Sequence, residues 1–72
     1  MTALPVVSGG DVVRALSKAG FVQVGQRGSH VKLKHPDGRI VIVPMHRELA
    51  HGTLRSILRQ ARLTADDLVA LL

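Results

Sequence analysis

Apolar positions along this chain recur at two different periods, and the switches between them divide it into elements. Val12, Val13, Leu16 and Ala19 fall at helical spacing behind Ser8-Gly9-Gly10-Asp11, which has the form of a capping box. Asp11 also sits where a helix dipole favours negative charge. Gly20 is the expected left-handed cap, and Phe21 the hydrophobic residue that folds back on the last turn, so Phe21 reads as core. Arg14 and Lys18, one turn apart, form a basic pair facing water.

The period then drops to two. Val22 and Val24 alternate with Gln23 and Gln26, predicting a first strand, and Arg27-Gly28 turns the chain. In a second strand over residues 29–34, Val31 and Leu33 point into a core, while His30, Lys32 and Lys34 stand in a row on the other face. His35-Pro36-Asp37-Gly38 is a turn, because proline fixes φ and glycine accepts a positive φ. A third strand over residues 39–43 is stopped by Pro44.

Past a loop at 45–52, a second helix starts near Thr53. Leu54, Ile57, Leu58 and Ala61 form its apolar stripe, and Arg55, Arg59 and Arg62 its solvent side. Thr64-Ala65-Asp66-Asp67 resembles another capping box, opening a short terminal helix over 64–72 with Leu68, Leu71 and Leu72. The order is α-β-β-β-α with a terminal helical turn. The fold class is therefore α+β, with a three-stranded antiparallel meander covered on one face by two helices and open on the other. Residues 1–72 form one domain, of which 1–7 are an N-terminal tail. Ile40 to Val43 are all apolar, so the third strand lacks a polar side. Either the terminal helix or another protein should cover it.

Composition narrows the function classes. A chain of 72 residues buries only about 60% of the surface its unfolded form exposes. An apolar fraction of 46% is still enough for a globular core. The absence of cysteine excludes disulfides and thiolate metal sites and fits a reducing cytoplasm. No basic leader and no membrane span are visible, so the expectation is a soluble cytoplasmic protein. Net charge is +5, unevenly placed: residues 27–62 hold eight Lys/Arg against Asp37 and Glu48, a net +6, and the rest of the chain is −1. A polyanion is the natural partner of such a segment.

The row of His30, Lys32 and Lys34 joins a proton carrier to two fixed positive charges, a set suited to a phosphodiester. A plain hydrophilic strand face would look the same. Carboxylates are scattered rather than clustered as a metal nuclease would need, so no metal and no cofactor are expected. With a single phenylalanine the chain has no surface for stacking bases, which points to recognition through phosphates with weak sequence preference.

Several of these residues together resemble a known family. Gly28-Ser29-His30 before a basic strand, then His35-Pro36, Val43-Pro44 and the run from Gly52 to Ala61, are similar in order and spacing to the HicA toxins of bacterial and archaeal toxin–antitoxin pairs. The resemblance covers residues 8–63. It implies a fold similar to double-stranded RNA-binding domains, a ribonuclease activity that cuts messages and stops translation, and a HicB-type antitoxin as partner. It also implies that the essential histidine is His30. Two features depart from the family pattern. Aliphatic Val31 and Leu33 stand where an aromatic or second histidine is usual, and Arg62 stands where a glycine closes the long helix.

Metal-free RNA cleavage needs a base for the 2′-hydroxyl proton and an acid for the leaving 5′ oxygen. His30 suits either role; His46 is the first candidate for the other, while His35 reads as a turn residue and His51 as the start of a helix. Lys32 and Lys34 would hold the phosphate, with Arg27, Gly28 and Ser29 at the turn and Arg55 and Arg59 on the helix as further RNA contacts. Two rivals remain at this point. One is a noncatalytic double-stranded RNA-binding module; the other is a DNA-binding helix-turn-helix built from the last two helices, which leaves the three strands unexplained.

Overall fold

The computed structural model describes residues 2–72 and has the order α1 (Gly9–Lys18), β1 (Val22–Arg27), β2 (His30–Lys34), β3 (Ile40–Pro44), α2 (His51–Ala61) and α3 (Ala65–Leu71). The three strands form one antiparallel sheet with β2 in the middle. The architecture is α+β, as the pattern of periods predicts.

Local chemistry sets the helix ends. Ser8 Oγ accepts the Asp11 amide and Asp11 Oδ2 accepts the Ser8 amide, each at 3.0 Å, so both halves of the capping box are made. At the other end Gly20 has φ 97, and the Phe21 and Gly20 amides donate back to the carbonyls of Leu16 and Ser17. This closure of the last turn needs the left-handed conformation that glycine adopts without strain. Thr64 and Asp67 repeat the reciprocal cap at α3. By contrast α2 starts at His51, two residues before Thr53, and its N-cap Ala50 supplies no side-chain bond. Its position is fixed instead by burial of Leu54, Ile57, Leu58 and Ala61.

The core lies between the helices and one face of the sheet. Val31 and Leu33 of β2 and Val41 and Val43 of β3 are buried there with Val12, Leu16, Phe21, Leu54, Ile57 and Leu68. Residues before α1 are not a free tail throughout: Val7 is buried, and its carbonyl accepts the Leu49 amide at 2.9 Å.

Strand pairing and helix docking settle three further points. Pro44 is the last residue of β3 rather than its stop; it pairs with His30 and is buried. An edge position tolerates a proline because the missing N–H has no ladder partner to lose. In β1, Val22 and Val24 are 59% and 54% exposed. Val22 pairs with Lys34 and so faces outward, while Gln23 pairs with Leu33 on the helix side. Finally, α3 packs on α1, where Leu71 O accepts Lys18 Nζ at 3.1 Å, and leaves Ile40 and Ile42 exposed. The terminal helix is therefore not the cover of the third strand's outer side.

Candidate functional site

The hairpin of β1 and β2 builds the site. Arg27 and His30 pair across the two-residue turn Gly28-Ser29. Gly28 has φ 56, and Arg62 is the one non-glycine among the described residues with a positive φ, so Ser29 is negative. That combination matches a II′ turn, whose twist suits a tight hairpin.

Directly paired residues project to the same face, with their Cβ atoms about 5 Å apart. The register therefore places three rows on the outer side of the sheet: Arg27 and His30 with the buried Pro44; Gly25, Lys32 and Ile42; Val22, Lys34 and Ile40. A shallow groove of about 470 Å³ runs through the first two and is lined by Gly25, Gln26, Arg27, His30, Lys32 and Ile42. Arg27, His30, Lys32 and Lys34 are all exposed. Among the described residues none of the four has an ion-pair partner, whereas Arg14 and Arg39 are each engaged by an aspartate. The groove thus concentrates positive charge beside an imidazole with no acid to neutralise it.

The carboxylates are occupied elsewhere. The Ser8 amide, then the Ser8 hydroxyl, hold the Asp11 carboxyl below its usual range, and Thr64 does the same for Asp67. Asp37 is lowered to about 2, first by the side-chain hydrogen bond from Arg39 and then by the Arg39 amide. These groups are ionised caps and turn anchors.

The remaining sequence candidates separate. Arg27, His30 and Lys32 share the groove, and Lys34 lies further along the same face. Ser29 sits at the turn, its carbonyl accepting the Met45 amide at 2.6 Å. His46 is exposed on the loop that leaves β3 beside His30; its carbonyl accepts the Gly9 amide at 2.9 Å, and its side chain does not line the groove. Arg55 and Arg59 are exposed on α2, in the helical layer, and do not line it either. His35 packs edge-on against Phe21 with centroids 5.1 Å apart, and its Nδ1 accepts the Asp37 amide. Sequence reasoning passed over Gly25 and Ile42 as groove walls. The signal available was a lone glycine inside an alternating strand pattern.

Fold and groove together define a small basic α+β domain that presents a histidine among unpaired cations on an open sheet. The chain belongs to the HicA toxin family: the family described as HicA toxin of bacterial toxin-antitoxin matches residues 9–63 of the 72. It is accordingly the toxin type of a toxin–antitoxin pair, with an antitoxin as its general partner. The match spans α1 to the end of α2, and α3 lies beyond it. Comparison with curated proteins gives no match. Among the described residues no helix is long and apolar enough to cross a membrane.

Proposed function

We propose that this toxin is a metal-independent endoribonuclease that cuts mRNA in the cytoplasm, with His30 as a general acid or base, and that a HicB-type antitoxin neutralises it. The observation that carries the reading is the grouping of Arg27, His30 and Lys32 in one open groove with no internal anion.

In the proposed reaction a base takes the proton of a ribose 2′-hydroxyl, and the 2′ oxygen attacks the adjacent phosphorus. The bond from phosphorus to the 5′ oxygen breaks, and an acid protonates that oxygen. The products are a 2′,3′-cyclic phosphate and a 5′-hydroxyl end. Imidazole serves either proton step because its charge changes near neutral pH. Arg27 and Lys32 stabilise the charge that builds on the non-bridging oxygens. Gly28 and Ser29 let a phosphate come close to the turn backbone. Lys34, along the open face, and Arg55 and Arg59, from the helical layer, would be further contacts to the RNA backbone, which position without reading sequence. His46 is the candidate second proton carrier, on a loop that starts at the His30 end of the sheet.

A cleavage assay on structured and unstructured RNA in excess chelator tests this. Wild type should cut, and His30→Ala should fold but not cut, since substitution of an exposed side chain changes stability by only about 0.5 kcal/mol. Equal cleavage by both proteins would remove His30 from the chemistry. Binding by both without cleavage would favour a noncatalytic RNA-binding module.

A further inference from the structure

Gly25 occupies a place in β1 where nothing in the fold calls for glycine. The positive-φ glycines of the chain are Gly20, Gly28 and Gly38, so Gly25 has a backbone conformation open to any residue. A Cβ built on it meets no atom within 4 Å, so no neighbour needs the space. The register slips between Gln23 and Gly25, leaving Val24 without a partner of its own, but the bulge type that demands glycine uses a left-handed residue, which Gly25 is not. Glycine inside a strand is destabilising because it loses the most conformational freedom on folding. The fold gains nothing in return.

What the missing side chain does create is room on the outer face. Gly25 pairs with Lys32 and lies in the groove with Arg27 and His30. Arg27 is two residues along the same strand, so the open patch is bordered by cations on two sides and by Ile42 beyond Lys32.

We infer that the bare backbone at Gly25 is a seat for the RNA sugar–phosphate chain next to the scissile phosphate, Gly25 being a positioning residue that lets the strand lie against β1. This deepens the ribonuclease reading and rests on it. A phosphodiester brings negative charge to Arg27 and Lys32, and a backbone without a side chain lets its sugar approach closely. A side chain at residue 25 would lift the strand away from His30 while leaving the protein intact.

The test is RNA binding by the His30→Ala protein, which does not consume its ligand, compared with the same protein carrying Gly25→Val or Gly25→Ala. A Gln23→Val control places the same β-branched side chain on the opposite face of β1. Gly25→Val should weaken binding of a short single-stranded RNA by roughly tenfold or more, as blocking one close contact does, and Gly25→Ala by less. Both should keep or raise the unfolding midpoint, and Gln23→Val should bind normally. In the His30 wild-type background cleavage should fall in the same order. Unchanged RNA affinity in both Gly25 variants would overturn the seat and leave the groove to a protein occupant. If Gly25→Val loses its fold, unchanged affinity in Gly25→Ala alone overturns it. A parent His30→Ala protein that binds no RNA at all would instead overturn the ribonuclease reading itself.

Discussion

Arg39 donates from Nη1 to the carbonyl of Ala61 at 2.6 Å, tying the turn before β3 to the last turn of α2. The same guanidinium donates through Nε to the Asp37 carboxylate and lies 5.0 Å from the centre of the Phe21 ring. One side chain thus joins a turn, the end of a helix and the core aromatic. It also serves an α2 carbonyl that has no partner further along the helix.

Arg39→Leu should therefore destabilise the fold by about 1–3 kcal/mol, the usual loss for a charged hydrogen bond to a partly buried acceptor, as read by urea unfolding. The pH dependence has a definite sign. The folded pKa of Asp37 is lowered to about 2 from 3.8, so its contribution is complete above the unfolded value and is lost as pH falls through about 2. Between pH 4 and 2, Asp37→Asn should flatten the acid limb of the stability curve relative to wild type. An unchanged acid limb would show that the Asp37 carboxylate adds nothing.

Arg62 ends α2 at φ 55 and ψ 42, a left-handed conformation that strains a residue bearing a Cβ. Arg62→Gly should raise stability by about 0.5–1 kcal/mol, the relief of that strain less the extra freedom of an unfolded glycine. Arg62→Val should do the opposite. Thermal unfolding of both variants measures the difference.

If RNA is held through phosphates, binding must weaken with salt. Lys32→Gln, which removes one cation from the groove, should reduce the log–log slope by roughly 0.7–0.9 and weaken all RNA sequences alike. Arg59→Gln tests the helical layer by the same measure. A slope near zero for wild type would exclude an electrostatic interface.

The open face also carries Val22, Ile40 and Ile42, all at least 39% exposed, beside the basic row, and Val24 at the bulge is 54% exposed. An antitoxin that covers this face buries apolar area and blocks the groove at once, and complementary charge would make its association fast and salt-sensitive. Hydrogen exchange with the antitoxin should show protection at residues 29–34 and 40–43. Protection confined to 54–72 would place the partner on the helices instead.

Much of the site could be read from the chain because its determinants are local. Alternation put His30, Lys32 and Lys34 on one face, and the two-residue turn at Gly28 brings Arg27 opposite His30. Arg55 and Arg59 shared the charge signal yet lie in the other layer, since net charge along a sequence carries no direction in space.

The sequence alone determined the elements, both ends of α1 and the start of α3: Ser8 with Asp11, Gly20 with Phe21 and Thr64 with Asp67 act within one turn, so their hydrogen bonds need nothing distant. Tertiary structure decided which face of each strand is covered. Alternation in β1 distinguishes valines from glutamines but not inside from outside. That choice comes from pairing with β2, which sets Gln23 beside Leu33 and Val22 beside Lys34. Docking of α3 on α1 likewise leaves Ile40 and Ile42 in the open. Periodicity fixes the spacing of a face; only its packing partner fixes what that face meets.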